Sequence, residues 1–162
     1  MELVSLEPLV LELADALRRR GLRMATAESC TGGLIAAACT AVAGSSDWFE
    51  RGFVTYSNEA KSELLGVPPA LLAAHGAVSE EVARAMAQGA LAHSRAQLVL
   101  AVTGIAGPSG AVPGKPVGTV WLAWGSTAGL RAERLQLDGD RAAVRTASVA
   151  AALARLAEAA RA

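Results

Sequence analysis

The chain reads as an α/β or α+β protein with helices on both faces of a sheet. Amphipathic helical repeats open and close it, and between them short apolar runs interleave with capped helical segments. One run, Gln97 to Val102, is continuously apolar, as a central strand covered on both faces would be. At 162 residues the expectation is one domain over residues 1–162, long enough for a sizeable core.

Taken in order, Leu6, Val10, Leu13 and Leu17 recur on one helical face. Arg18 to Arg20 fall in its last turn, where cations complement the dipole, and Gly21 suits the position after it. That arginine run is a solvated helix end; a nucleic-acid patch is the alternative, and nothing nearby reinforces it. Leu22 to Ala27 reads as a strand, and the alanine-rich Leu34 to Val42 as a helix. Gly44-Ser45-Ser46-Asp47 is a loop or cap, and Phe49 to Tyr56 a second strand. Ser57-Asn58 caps a short helix closed by Gly66, and Pro68 starts another that ends near His75-Gly76. Val78 to Glu81 opens a helix with acids in its first turn and Val82 and Met86 on its buried face. Thr103 to Pro108 follows the central strand directly, Ser109 to Pro116 is a loop, Gly118 to Trp124 a strand, and Gly125 to Gly129 a turn. Leu130 to Leu137 alternates charged and apolar residues, as an edge strand does. Asp138-Gly139-Asp140 caps the last helix, where Val149, Leu153, Leu156 and Ala160 repeat the opening pattern.

Composition excludes several classes. Lys and Arg number 15, as do Asp and Glu, so the net charge is zero and no nucleic-acid partner is expected. No apolar run reaches the ~18 residues of a membrane span. Glu2, Glu7 and Glu12 stand where a secretory signal would be basic. Two cysteines, Cys30 and Cys39, make no disulfide framework, and a reducing cytoplasm is the natural compartment. The residues are 52% hydrophobic but only 4% aromatic, so small side chains favour close helix packing. The alanine-rich helices are packing surfaces within one chain or between copies; a homo-oligomer is the expectation.

Chemistry concentrates in Thr26-Ala27-Glu28-Ser29-Cys30-Thr31-Gly32-Gly33, where a strand turns into a helix. A hydroxyl or thiol held at a helix start faces backbone donors that stabilise an anion. Gly32 and Gly33 let a ligand approach the backbone. The alternative is a simple turn with Ser29 or Thr31 as N-cap. Thr103 ends a second strand, ligands in open α/β sheets sit beyond such carboxyl ends, and Gly104 and Gly107 would let the following loop approach a ligand with its backbone. Lys61, early in a helix, is either a surface lysine or a general base pushed towards neutrality. Tyr56 is a core-rim residue or a group in the site. Cys30 is a rival nucleophile, since a helix start lowers a thiol pKa, although its neighbour Ser29 faces a different way. His75 and His93 show no metal-ligand spacing and read as structural; no metal or cofactor is expected.

Five blocks, in order, carry a resemblance: TAESCTGGLIAA, GSSDWFERGFVTYSNEAKSELLGV, HGAVSEEVARAMAQGAL, TGIAGP and KPVGTVW. Together they resemble the CinA C-terminal-domain family, over nearly the whole chain from about Leu6. Stand-alone members of that family are similar to nicotinamide-nucleotide amidohydrolases, or NMN deamidases. The resemblance implies a single-domain three-layer α/β/α sandwich. It implies a metal-free Ser/Lys hydrolase that converts the carboxamide of nicotinamide mononucleotide to the nicotinate form and ammonia, in pyridine nucleotide metabolism and NAD recycling. By motif, the nucleophile falls on Ser29 and the base on Lys61, with Tyr56 and Thr103 beside them. Cys30, Thr31, Gly32, Gly33 and Gly104 fall in the substrate site, and Arg141 or Arg145 is the phosphate contact. For Lys61 the helix start, burial and a pyridinium substrate would each disfavour the charged amine. Many members carry Asp-Gly-Gly after TGIAGP, where this chain has Ser109-Gly110-Ala111, so that loop is expected to differ in shape. The N-terminal domain of longer members, which resembles molybdopterin-binding proteins, has no counterpart here, and its function is not expected. A non-catalytic nucleotide-binding or competence-related interaction module is the alternative class, which ammonia release discriminates.

Overall fold

A computed structural model describes residues 3–162; Glu2, among the N-terminal acids above, lies outside the described residues. After a 3-10 turn at Leu3–Leu6 come α1 (Glu7–Arg20), β1 (Met24–Glu28), α2 (Leu34–Thr40) and β2 (Phe49–Val54). Then follow α3 (Asn58–Leu65), α4 (Pro69–His75), α5 (Glu80–Ala92) and β3 (Leu98–Gly104). The chain ends with β4 (Thr119–Ser126), β5 (Gly129–Gln136) and α6 (Arg141–Arg161). The strands form one five-stranded sheet in the order β2-β1-β3-β4-β5. β1 pairs in parallel with β2 and β3, while β4 and β5 continue antiparallel.

The alternation of a pleated strand sorts the core into two layers. Met24 on β1 and Leu98, Leu100 and Val102 on β3 pack with α1, α2 and α6. Ala25 and Ala27 on β1 and Val99 and Ala101 on β3 pack with α3, α4 and α5. The result is a three-layer α/β/α sandwich. On the second face α5 approaches α3 closely: a Cβ on Gly89 would run into the Leu65 carbonyl at the end of α3. Among the described residues no helix is long and apolar enough to cross a membrane.

Several boundaries differ from the sequence reading. β3 runs past Val102 through Thr103, the expected strand end, to Gly104, and the two pair with Trp121 and Val120 of β4, so Gly104 is a strand residue rather than loop. β4 and β5 extend towards each other until only Thr127-Ala128 separates them, because Gly125 adopts φ 143° where a Cβ would meet the Gly129 carbonyl. β2 stops at Val54 and α2 at Thr40, short of Tyr56 and Val42. Pro68 is the N-cap of α4, and Pro69 takes the first helical turn. The caps at Ser57, Ser79 and Asp140 each accept a backbone N–H, from Ala60, Val82 and Ala143.

Candidate active site

Ser29 continues the line of β1 for one residue, its N–H donating to Val102 O at 3.0 Å. Alternation along that line decides where the side chains go. Ala25 and Ala27 face α3–α5, and Ser29 is next on that side. Its Oγ lies 3.0 Å from Lys61 Nζ on α3. Cys30 instead packs in the layer of α1, α2 and α6. The two neighbouring side chains therefore serve opposite faces, and only Ser29 meets the lysine.

Lys61 is 1% exposed and Ser29 7% exposed. Nζ folds back across the start of its own helix and meets main-chain oxygens: Thr55 O at 2.9 Å, Tyr56 O at 3.3 Å and Ser57 O at 3.4 Å. Burial pushes the lysine below its ordinary range, with the nearby Cys30 sulfur acting in the other direction. The carbonyls also favour the charged amine. Desolvation is what disfavours the ammonium here. Burial pushes the Cys30 thiol up to about 11, overriding any help from the turn, so at neutral pH it is a protonated thiol rather than a rival nucleophile.

The turn after Ser29 is not capped as the sequence suggested. α2 begins after Gly33, at φ 100°, with no side-chain cap from the turn. The Leu34 amide donates to Thr31 O at 3.0 Å, and the next two amides of α2 are taken by Glu28, which is fully buried. Glu28 Oε1 accepts from Thr31 Oγ1 at 2.6 Å and Ile35 N at 2.9 Å, and Oε2 accepts from Ala36 N at 3.0 Å. Sequence reasoning passed over Glu28; an acid at the end of an otherwise apolar strand, just before a helix start, was the available signal. Within the turn, Gly32 N donates to Ser29 O. Among the described residues, the Cys30, Thr31 and Gly33 amides donate to no main-chain carbonyl.

The remaining candidates ring this pair. Arg145 on α6 donates from Nε to Cys30 O at 3.1 Å and from Nη2 to Thr31 O at 3.4 Å, clamping the turn from outside. Arg141, one turn earlier, donates to Gly107 O at 2.9 Å and to the Tyr56 hydroxyl at 3.0 Å. Tyr56 is 61% exposed, at the mouth rather than on a core rim. Thr103 is buried and spends its hydroxyl on Ala77 O at 2.8 Å, holding the segment before α5. A Cβ on Gly104 would sit 3.2 Å from Cys30 Sγ and 2.7 Å from Val120 Cγ2, so glycine there lets β3 close on the turn. Thus Ser29, Lys61 and the turn converge, Arg141 and Tyr56 edge the site, and Thr103 and Gly104 support it from beneath. Ser109, Gly110 and Ala111 are exposed, just beyond the Gly107 carbonyl that Arg141 holds. His75 Nδ1 lies 3.6 Å from Glu81 Oε2, and His93 Nδ1 lies 2.8 Å from Gly89 O.

Comparison with known proteins gives a consistent neighbourhood. Nicotinamide-nucleotide amidohydrolase PncC of Pseudomonas putida is 57% identical over 145 residues, covering 90% of this chain and 91% of that protein. PncC of Escherichia coli is 52% identical over 146 residues, covering 90% and 88%. The CinA-like protein of Geobacter sulfurreducens is 56% identical over 141 residues, but this chain spans only 34% of its length. The crystal structure of competence/damage inducible protein CihA from Agrobacterium tumefaciens superposes with a TM-score of 0.90 at 47% identity, over 93% of both chains. A CinA-superfamily protein from Klebsiella pneumoniae superposes at 0.92 with 42% identity, over 95% of this chain and 96% of that one. The family model of the CinA C-terminal domain matches residues 6–160, and the chain belongs to that family.

Proposed function

We propose that this protein is an amidohydrolase that converts nicotinamide mononucleotide to nicotinate mononucleotide and ammonia by a Ser/Lys mechanism. One observation carries the mechanism: a buried Ser29 Oγ sits 3.0 Å from an equally buried Lys61 Nζ. The substrate class is supported by the relatives named nicotinamide-nucleotide amidohydrolase that align over nearly their full length.

Three main-chain oxygens and Ser29 Oγ surround Nζ, so these partners by themselves would accommodate an ammonium, and it is burial that favours the neutral amine. Once neutral, Lys61 has a lone pair that can accept the Ser29 hydroxyl. As Oγ attacks the carboxamide carbon, Lys61 takes its proton. The oxyanion forms beside the Thr31, Gly33 and Cys30 amides, which are the donors not spent on carbonyls. Protonated Lys61 returns its proton to the departing ammonia, and water then hydrolyses the nicotinoyl ester on Ser29.

Arg145 is occupied holding the turn, whereas Arg141 is exposed at the mouth and can turn from Tyr56 to a phosphate. Arg141 is therefore the phosphate contact, and Arg145 a support of the turn. Ammonia release from nicotinamide mononucleotide by the purified protein tests the reading. Wild type is expected to release it and Ser29→Ala to lose at least ~10³-fold in kcat while still binding the nucleotide. A Ser29→Ala rate within a few-fold of wild type overturns the mechanism. Arg141→Met is expected to raise KM for the nucleotide and to leave KM for the nucleoside, which has no phosphate, nearly unchanged.

A further inference from the structure

We infer that Glu28 is a positioning residue for the nucleophile, holding Ser29 in line with Lys61 by bridging the chain across it. The inference rests on Ser29 being the nucleophile. Two consecutive glycines at positive φ, Gly32 at 59° and Gly33 at 100°, follow closely after Ser29. Glycine has the greatest backbone freedom, so this turn does not hold a side chain to a fraction of an ångström by itself. Glu28 supplies what the turn lacks. Its main chain is fixed in the middle of the sheet, paired with Val54 on one side and Val102 on the other. Its carboxyl group reaches over the turn to Thr31, Ile35 and Ala36. The residue before Ser29 is thereby tied to the residues after it, and Ser29 lies inside the closed ring.

The same residue also reaches the lysine. Glu28 O accepts the Thr55 N–H at 2.9 Å, and Thr55 O is the shortest main-chain contact of Lys61 Nζ. One residue thus references both partners to the sheet. Gly33, at φ 100°, cannot carry a capping side chain in the usual extended N-cap geometry, and a buried carboxyl group is costly unless fully hydrogen-bonded, as Glu28 is here. Because Glu28 takes the Ile35 and Ala36 amides, the donors left for an oxyanion are those of the turn, next to Ser29. Glu28 itself touches no reacting atom.

The test measures kcat, KM and thermal melting together with the rate at which an alkyl phosphonofluoridate labels Ser29. In that reaction the Oγ–phosphorus bond forms, fluoride leaves and Lys61 takes the proton, so it reads nucleophile alignment without the amide substrate. Glu28→Gln keeps the shape but points an NH2 at the Ala36 amide. It is expected to melt cooperatively, to lose tenfold or more in both kcat and labelling rate, and to keep KM within about threefold, since small misplacements of a reacting group cost up to ~10²-fold. Thr31→Val should show a smaller loss of the same kind, and Thr31→Ser, which keeps the hydroxyl donor, should restore the rate. A folded Glu28→Gln protein with both rates within twofold of wild type overturns the inference. So does a loss that merely follows the unfolded fraction. If Glu28→Gln does not fold, the Thr31 pair decides: Thr31→Val within twofold of Thr31→Ser overturns it. If wild type is labelled at Ser29 but releases no ammonia from the nucleotide, the substrate reading fails while the labelling rates still test the positioning. Wild type that is not labelled at Ser29 overturns both.

Discussion

Lys61 joins a folding cost to the proposed activity. Burial holds its pKa below the ordinary lysine range, so the folded state binds its proton less tightly than the unfolded state. The stability difference follows by linkage: it disfavours the fold at low pH and is relieved as pH rises from the folded value towards the free value of ~10.4. Urea midpoints of wild type minus Lys61→Met should therefore move in favour of wild type across that window. If the neutral amine is the base, as proposed, kcat/KM of wild type should rise with pH through the lowered lysine value, and Lys61→Met should lose nearly all activity and that limb with it. Lys61→Arg should do no better, because arginine stays protonated. Substantial activity in Lys61→Arg would reduce Lys61 to a positive charge near the substrate. Ser29 and Lys61 were legible as candidates from their local settings, a strand-to-helix turn and a helix start. Their 3.0 Å approach was not, because it depends on which face of β1 Ser29 occupies.

At the scale of the element, α6 and α5 each make a separate point. α6 presents Arg141 and Arg145 from its first two turns, and Asp140 caps that end by accepting the Ala143 N–H at 2.9 Å. Asp140→Ala should cost about 1 kcal/mol of stability, read from denaturant midpoints. Fraying of the first turn should also raise KM for the nucleotide more than it lowers kcat. α5 carries Gly89 where helix propensity alone favours alanine by ~1 kcal/mol. Packing reverses that preference, because a Cβ there meets the Leu65 carbonyl and the carbonyl carbon at 2.8 Å. Gly89→Ala should destabilise by roughly 1–3 kcal/mol, an overpacking cost; a melting temperature at or above wild type would show that α3 and α5 separate freely. The cap was readable from the sequence. The glycine contact was not, since α3 and α5 meet only when both lie on the same face of the sheet.

For the whole molecule, the two buried thiols tie the core to pH with the opposite sign from Lys61. Burial pushes Cys30 up to about 11 and Cys39 up to about 12. A raised folded pKa means stability that is complete below the free thiol value of ~8.5 and lost as pH rises through the folded values. Unfolding free energy should fall between about pH 9 and pH 12. A Cys30→Ala, Cys39→Ala double variant should decline less steeply over the same interval. Equal slopes would mean that the thiols are solvated on that timescale. Among the described residues no group of three or more His, Cys, Asp or Glu side chains is placed to hold a metal ion. Turnover is expected to survive exhaustive chelation, and loss of activity restored by an added divalent ion would overturn the Ser/Lys reading.

The sequence by itself determined what depends on near neighbours: the helical stripes, the Ser57, Ser79 and Asp140 caps, the apolar central strand, and the glycine turn with its serine. These follow from periodicity, backbone freedom and short-range hydrogen bonding, which need no knowledge of the rest of the chain. Tertiary structure alone decided the pairing order of the strands, and with it the two helical layers. It set the extension of β3 to Gly104, because a strand end is fixed by its partner, here Val120. It turned Thr103 into a support, gave α2 a cap from Glu28 in place of one from the turn, and raised the Cys30 thiol that the helix start alone would lower. Each of these depends on desolvation or on a contact between segments far apart in sequence, and neither is written in any local pattern of residues.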